Sequence, residues 1–188
     1  LARVRTLLDF KAYLDSCEEA AFTDHLTGLA NRRRFERHLE REVSRTERYG
    51  HPFCLLLVDI DDFKLINDTH GHEMGGYAIS EVAAIIRAVL EEHGHLCRFG
   101  GDEFCGCFPN MDRPTAVVLA ETVRDRVARH NFEKDGTRVE PTISIGVAAY
   151  PDDVINPQQL FTRADQAMYE AKRAGKNQVK VTLPVEPG

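Results

Sequence analysis

The sequence predicts an α+β fold in which helices surround a central, mixed and mainly antiparallel sheet. Residues 53–58 form a continuous apolar run, which is typical of a central strand covered on both faces. Two shorter apolar runs, at 96–99 and 104–108, flank a pair of glycines and predict a β-hairpin, because glycine supplies the positive φ of a tight turn. Segments of helical periodicity alternate with these strands and with two more, at 139–150 and 178–182. Hairpins and helices mixed in this way indicate a mixed sheet with helices packed around it.

Residues 1–23 are predicted to form a connector helix. Residues 1–22 contain no Gly or Pro, and their apolar side chains recur at steps of three and four, as in the a/d stripe of a coiled coil: Leu7, Phe10, Leu14, Cys17 and Ala21. Either this helix packs on its own domain, or it is a dimerising connector from a missing N-terminal sensor or receiver domain. The chain starts with Leu inside the helix, so we expect a fragment of a longer protein.

Local signals place the remaining helices. Four are predicted within the domain: from after Gly28 to about residue 49, and at 77–92, 113–130 and 157–174. Pro157 suits the first turn of the last helix, and Gly175 suits its C-terminal cap. Residues 24–182 are expected to form one domain, followed by a disordered tail at 183–188.

Composition limits the classes of partner. The net charge of −6 argues against a nucleic-acid binder, which would show a basic face. No apolar run approaches the roughly 20 residues of a membrane helix, and no signal peptide opens the chain. The five cysteines are odd in number and lack C-x-x-C spacing, so we expect a reduced protein in the cytoplasm. Cys105 and Cys107 share one face of a strand; a metal pair is one interpretation, and apolar filling of the core is the favoured one.

Acidic residues stand at the end of one predicted strand and at the tip of the hairpin. Asp59 follows the apolar run, where a buried acid is costly unless a cation neutralises it. Asp102 and Glu103 directly follow the two glycines. Carboxylate oxygens suit Mg²⁺ or Mn²⁺, and Mg²⁺ usually binds through one or two carboxylates plus substrate phosphates. A negatively charged helix cap and a solvated acidic turn are the alternatives.

The residues at 100–104, G-G-D-E-F, resemble the signature of the GGDEF family of cyclic-dinucleotide synthases, and the resemblance extends in order over residues 24–182. Further matches are D-x-L-T-G-L-x-N-R-R at 24–33, D-[IL]-D-x-F-K-x-x-N-D at 59–68, T-x-S-x-G at 142–146 and A-D-x-A-[LM]-Y-x-A-K at 164–172. The resemblance implies a ferredoxin-like palm, the nucleotidyl cyclase fold. It also implies a diguanylate cyclase, which joins two GTP molecules into cyclic di-GMP and releases pyrophosphate.

The resemblance, together with the chemistry of phosphodiester formation, suggests roles for individual residues. The metal ligands would be Asp59, the Ile60 carbonyl, Asp102 and Glu103. The catalytic residues would be Asp102, Glu103 and Lys64. The triphosphate would be held by Lys64, Lys172, Lys176 and the backbone N–H groups of Asp62 and Phe63. The nucleotide-binding residues would also include Asn67, whose amide suits contact with a purine edge, and His72 and Gly76.

One such domain holds one nucleotide, so a cyclic dinucleotide requires two sites that face each other. We therefore expect an isologous homodimer, in which each subunit supplies a 3′-hydroxyl to the α-phosphate held by the other. The alternative is a catalytically weak or inactive GGDEF module that binds nucleotide or a partner protein. A polymerase-type palm is disfavoured, because the sequence has no basic track for nucleic acid.

The sequence departs from the family pattern at two places. Gly76 stands where the family's G-H-x-x-G-D segment has Asp, which predicts relaxed base selectivity, some use of ATP and a mixed cyclic GMP–AMP product. The alternatives at this position are a weakened diguanylate cyclase and a glycine introduced into the chain. Glu91 and Gly94 stand where the family's R-x-x-D pair binds the cyclic product, so feedback inhibition through that site should be absent.

Overall fold

The computed structural model describes residues 21–154 and 156–182. The predicted connector helix lies outside the described residues except for its last three, of which Ala21 and Phe22 are helical and Thr23 forms a β-bridge with Ala30. The predicted disordered tail at 183–188 lies outside them entirely. None of the helices in the described part of the chain is long and apolar enough to cross a membrane.

A six-stranded mixed sheet forms the centre of the domain, with the order β1-β3-β4-β2-β7-β8, and β5 pairs with β6 in a separate hairpin. The strands are β1 Ala30–Asn31, β2 Phe53–Ile60, β3 His95–Arg98, β4 Glu103–Pro109, β5 Phe132–Lys134, β6 Thr137–Val139, β7 Ile143–Tyr150 and β8 Val179–Val181. The inner pairs β3–β4, β4–β2 and β2–β7 are antiparallel, whereas the outer pairs β1–β3 and β7–β8 are parallel. The predicted α+β architecture with a mainly antiparallel sheet is confirmed.

Four helices surround the sheet: α1 Arg32–Tyr49, α2 Phe63–Leu90, α3 Arg113–Arg129 and α4 Gln158–Arg173. Two begin at side-chain caps, since Asn31 accepts a hydrogen bond from Arg34 N and Asp112 accepts one from Thr115 N. The second helix starts well before the predicted residue 77. Its first part is separated from the rest by a kink at Gly71, whose backbone is not helical (φ 83°, ψ 164°).

The strand β2 is buried on both faces, as its continuous apolar run predicts. Because side chains alternate along a strand, Leu56, Val58 and Ile60 lie in the core beneath α2 and α3. Leu55 and Leu57 lie on the opposite face, in a second core that includes Phe35 of α1 and Leu160 of α4. Each residue of β2 is less than 5% exposed except Asp59, so the strand carries its one acid at the border of the core.

Two details of the predicted strands were wrong. The strand predicted over 139–150 begins only at Ile143, because Pro141 has no N–H to donate to a sheet. The chain before it forms the β5–β6 hairpin, whose turn residues Asp135 and Gly136 both have positive φ (50° and 76°). An Asp-Gly pair is a strong hairpin signal in a sequence, and here it was overlooked.

The glycines of the β3–β4 hairpin do not supply the predicted positive φ. The hairpin is present, but neither Gly100 nor Gly101 has a positive φ. A Cβ at position 100 would lie 2.6 Å from Glu103 Oε2, so a larger residue there would have to move the end of the glutamate side chain. A Cβ at position 101 would meet nothing within 4 Å.

Candidate active site

The end of β2 meets the tip of the β3–β4 hairpin. In the sheet register Asp59 stands opposite Glu103 of β4 on one side and Ser144 of β7 on the other. The next residue, Ile60, donates its N–H to the Asp102 carbonyl at 3.2 Å. The sheet therefore brings Asp59, Ile60, Asp102 and Glu103 to one edge, as the sequence predicted. We call these four residues, with Lys172, the metal edge.

The electrostatics of the metal edge centre on Asp59, whose side chain is 8% exposed. Burial raises the pKa of Asp59 to about 6, and the nearby charges of Asp102 and Glu103 act in the same direction. Lys172 opposes them, because its Nζ lies 2.7 Å from Asp59 Oδ1. The metal edge thus has three carboxylates and one ammonium group, and this excess of negative charge favours the binding of a further cation.

The donor set at this edge suits a divalent metal ion. Within residues 21–154 and 156–182, no three His, Cys, Asp or Glu side chains converge as a ready-made metal cluster. Mg²⁺ does not require one, because it usually binds through one or two carboxylates and completes its shell with water and substrate phosphates. Asp59 and Asp102, with the Ile60 carbonyl, are the groups that can hold such an ion, and Glu103 is the next candidate.

Asp61, two residues beyond Asp59, has a different role. Its buried carboxylate accepts hydrogen bonds from Thr142 Oγ1 and Ser144 Oγ, each at 2.7 Å, and from Asn177 N at 3.0 Å. These contacts join the end of β2 to β7 and to the loop after α4. Asp61 is thus a structural acid that fixes the surroundings of the metal edge. The T-x-S spacing at 142–144 puts both hydroxyls beside it, and this spacing was the available sequence signal.

The lysines predicted to bind phosphate lie around the same edge. Lys172 of α4 contacts Asp59, and Lys176 Nζ lies 2.6 Å from Asp62 Oδ1. Lys64 is exposed in the first turn of α2 and has no ion pair within the described residues. Asp62 precedes α2 with a left-handed backbone (φ 52°) and no side-chain cap, and the first N–H groups of a helix lack partners inside it. Positive groups beside the acids therefore come from α4, from the loop after it and from the first turn of α2.

Asn67, predicted to contact the base, packs against the part of α2 that follows the kink at Gly71. A Cβ at Gly75 would lie 1.9 Å from Asn67 Oδ1 and 3.2 Å from Phe63 Cζ, so the Asn67 amide packs directly on the Gly75 backbone. A Cβ at Gly76 would meet nothing within 4 Å. His72 is exposed and directly follows the kink residue Gly71 in α2. We call Asn67, Gly75 and Gly76 the base cleft. The importance of Gly75 was not recognised from the sequence.

The position of the family's product-binding pair has a distinct shape here. Glu91 and Gly94 line a cavity of about 270 Å³ together with Arg34, Arg87 and His95. A Cβ at Gly94 would lie 2.2 Å from the Cys107 carbonyl oxygen and 3.0 Å from Phe108 Cα. Position 94 therefore has no room for the carboxylate of the family pattern unless the backbone of β4 moves.

Arg98, which was given no role from the sequence, ties the hairpin tip to the start of the domain. Its guanidinium donates to the Gly101 carbonyl at 2.7 Å and 3.1 Å, and contacts both carboxylate oxygens of Asp24 at 3.3 Å and 3.2 Å. Burial raises the pKa of Asp24, but hydrogen bonds from Thr27 and the charge of Arg98 outweigh it, and the net pKa is lowered. In the sequence, the sign of this contact was that Arg98 stands two residues before the glycine pair.

The family model described as "Diguanylate cyclase, GGDEF domain" matches residues 21–178. The chain belongs to the GGDEF family. This GGDEF domain is 38% identical over 187 residues to the response regulator PleD of Caulobacter vibrioides, with 95% of the chain covered. It is 37% identical over 172 residues to the diguanylate cyclase DgcP of Pseudomonas aeruginosa, with 92% covered. The chain spans 41% of the first relative's length and 26% of the second's.

Solved GGDEF domains share the fold. The coiled coil and GGDEF domain of DgcB from Caulobacter crescentus, in complex with c-di-GMP, superposes with a TM-score of 0.87 at 31% identity, covering 96% of this chain and 95% of that one. The active GGEEF domain of a diguanylate cyclase from Vibrio cholerae gives 0.76 at 32% identity, covering 84% and 99%. The hairpin and sheet described above are therefore those of a GGDEF domain.

Proposed function

We propose that this GGDEF domain condenses two nucleoside triphosphates into a cyclic dinucleotide, with cyclic di-GMP as the main product and pyrophosphate as the leaving group. The observation that carries the proposal is the meeting of Asp59, at the end of a buried strand, with Asp102 and Glu103 on the hairpin. The names of its relatives, which include diguanylate cyclases, support the same activity.

The oxygen atoms of the metal edge suit a divalent ion. Asp59, Asp102 and the Ile60 carbonyl would hold Mg²⁺ or Mn²⁺, with Glu103 as a further ligand. Such an ion would polarise the attacking hydroxyl and neutralise charge on the phosphates. Lys64, Lys172 and Lys176 hold the triphosphate as point charges, and the N–H groups of Asp62 and Phe63 add to this cradle.

The reaction forms one ester bond and breaks one anhydride bond at each phosphorus. The 3′-oxygen of one nucleotide attacks the α-phosphorus of the other, and the bond from that phosphorus to the bridging oxygen breaks to release pyrophosphate. The hydroxyl proton passes to a carboxylate at the hairpin tip, for which Asp102 is the first candidate and Glu103 the second. Two such steps close the ring.

The reacting 3′-hydroxyl comes from a second subunit, so the active form is a homodimer with two facing sites. Turnover per subunit is then expected to rise with protein concentration until the dimer is complete. The segment at 1–23 is proposed to connect to a sensor or receiver domain that controls this association. The location in the cytoplasm stays a prediction.

Base selectivity is proposed to be relaxed, because the base cleft lacks a carboxylate at position 76. An ionised Asp accepts from the N1–H and N2–H₂ donors of guanine but repels the N1 acceptor of adenine. Gly76 offers neither contact, while the Asn67 amide can serve both purines. Sites that hydrogen-bond their substrate discriminate by up to roughly 10⁴–10⁵-fold, and much of that discrimination is expected to be lost here. ATP is then admitted, and a mixed cyclic GMP–AMP is formed beside cyclic di-GMP.

The test is to incubate the chain with Mg²⁺ and GTP, ATP or an equal mixture, and to identify the products by mass. Gly76→Asp is the matched variant, since the space beside Gly76 admits the side chain. Adenine should enter the product of the unaltered chain and disappear in the variant. Cyclic di-GMP as the sole product of the mixture would overturn relaxed selectivity. No pyrophosphate release at high protein concentration, with nucleotide still bound, would instead indicate a binding module.

A further inference from the structure

Two cysteines face each other across the hairpin that carries the acids of the metal edge. Cys97 of β3 and Cys105 of β4 are directly opposite in the sheet register, and their Sγ atoms lie 3.0 Å apart. Residues opposite each other in antiparallel strands have Cα atoms about 4.5–5.5 Å apart, which lies within the range of disulfides. The backbone therefore already has the spacing that a cross-strand disulfide needs.

No other described cysteine has a sulfur opposite to it. Cys54 of β2 stands between Phe108 and Ala149, and Cys107 of β4 stands between His95 and Leu55. Cys107 lies on the same strand as Cys105 and is equally buried. It is thus a natural control for Cys105. Cys17 lies outside the described residues.

A bond between Cys97 and Cys105 would affect the hairpin tip. A Cys97–Cys105 disulfide would close a ring around residues 98–104, which include Asp102 and Glu103 as well as Arg98, the side chain that holds the Gly101 carbonyl. The bond would join the two strands covalently at the base of this ring and restrict the movements that the hairpin tip can make. Restriction matters there, because misplacing a reacting group by about 1 Å can cost as much as 10²-fold in rate.

We propose that Cys97 and Cys105 form a reversible cross-strand disulfide that restrains the hairpin tip and lowers turnover. The oxidant is hydrogen peroxide: one thiolate attacks a peroxide oxygen and becomes a sulfenic acid, and the second sulfur then displaces water from it. In total, two thiols and one peroxide give one disulfide and two waters, with two electrons passing from the sulfurs to the peroxide oxygens. A dithiol reductant returns both thiols.

Burial sets the speed of this reaction. Cys97 and Cys105 are 0% and 2% exposed, so peroxide reaches them only rarely and oxidation is expected to be slow. Access for peroxide requires local opening of the short β3 edge, whose outer neighbour β1 has only two residues.

The experiment uses the full chain with Cys17→Ser, which removes the cysteine outside the described residues. The protein is treated with hydrogen peroxide and compared before and after reduction. Peptide mapping should show a loss of about 2 Da in a species that joins the Cys97 and Cys105 peptides, the mass of the two hydrogens removed. Hydrogen exchange of residues 98–104 should change on oxidation, and turnover should fall by about tenfold or more and recover with reductant.

Cys107→Ala is expected to keep this response, whereas Cys97→Ala is expected to lose it while remaining active. Failure to form the bond would overturn the proposal, and so would a bond that leaves both exchange and turnover unchanged. The effect on turnover rests on the proposed cyclase activity. The mass and exchange measurements do not need it, so a reduced protein without turnover would contradict the proposed function alone and leave the disulfide to be decided by those two measurements.

Discussion

The metal edge and the base cleft lie on either side of the start of α2, and they are built in opposite ways. At the metal edge charges are compensated by direct contact, with Lys172 2.7 Å from Asp59. In the base cleft Asn67 packs on the Gly75 backbone, and the space beside Gly76 is open. The first region depends on charge and the second on volume. Changes of charge at the edge should therefore stop the reaction, whereas changes of volume in the cleft should weaken the use of nucleotide.

The largest effect is expected at the metal edge. Asp59→Asn and Asp102→Asn should each lower turnover by on the order of 10³-fold, because each removes a charge that neutralises a metal ion. Neither variant should lower the free energy of unfolding much, because burial makes the Asp59 charge costly to the fold and its removal offsets the lost contact with Lys172. Steady-state pyrophosphate release and urea unfolding measure the two quantities. Near-normal turnover in either variant would refute the two-carboxylate site.

Asp61→Asn is the matched control, since Asp61 is an equally buried acid two residues away. Its carboxylate accepts three hydrogen bonds, and an amide offers a single uncharged acceptor oxygen in their place. We expect the free energy of unfolding to fall by about 3 kcal/mol, the scale of hydrogen bonds to a buried charged group. Urea unfolding should thus separate Asp61 from Asp59. Equal stability of the two variants would remove the distinction between a structural and a reactive acid.

The base cleft should respond to volume at one glycine and not at its neighbour. A Cβ at Gly75 would overlap Asn67 Oδ1 at 1.9 Å, so Gly75→Ala must displace the amide that we propose contacts the base. We expect kcat/KM for GTP to fall about tenfold or more, as is usual when a positioned hydrogen bond to substrate is lost. Gly76→Ala, which meets open space, should change kcat/KM by less than about twofold. Equal effects of the two changes would contradict this account of the cleft.

Much of the fold follows from patterns in the sequence. Three patterns each predict one element: the continuous apolar run of β2, the hairpin with its two glycines, and the periodicity of α3. A strand covered on both faces is apolar throughout, and an amphipathic helix repeats its apolar side chains with a period of 3.6 residues. The β5–β6 hairpin and the first part of α2 were missed. The first is too short to show a period, and the second is interrupted at Gly71, whose φ of 83° ends the regular pattern. Gly100 was expected to supply a positive φ, and its φ is not positive.

The candidate site was only partly accessible from the sequence. The acids could be placed because each follows a strand or a turn whose position in the sheet is determined by hydrophobic pattern. The partners of Asp61, the contact of Arg98 with Asp24 and the packing of Asn67 on Gly75 join residues that are far apart in the chain or separated by a kink. Such contacts depend on tertiary packing, so no local spacing in a single sequence specifies them.

A smaller effect is expected from pH. The pKa of Asp59 is about 6, and the ionised form is needed to hold a cation, so kcat/KM should rise as the pH increases through about 6. A divalent ion favours the charged carboxylate, so a high Mg²⁺ concentration should move the rise in kcat/KM to lower pH. In the absence of metal, stability changes with pH in the opposite direction to kcat/KM. The pKa of Asp59 in the folded protein exceeds the ordinary 3.8, so the folded state holds the proton more tightly than the unfolded state. The free energy of unfolding therefore falls as the pH rises from about 4 to 6. A profile that is flat through this range at low Mg²⁺ would exclude Asp59 as the titrating ligand.

The smallest effect is expected from the cyclic product itself. Glu91 presents a negative charge where the family pattern has Arg, and it would repel the phosphates of the product. Gly94 cannot be converted to the family's Asp without moving β4, because a Cβ there would lie 2.2 Å from the Cys107 carbonyl oxygen. Micromolar cyclic di-GMP added to the turnover assay should therefore produce no non-competitive inhibition. The double variant Glu91→Arg and Gly94→Asp should remain uninhibited as well. The single variant Glu91→Arg changes the charge without the steric cost of a side chain at position 94. Non-competitive inhibition of the unaltered chain at micromolar product would show that the cavity beside Arg34 and Arg87 binds the product by other contacts.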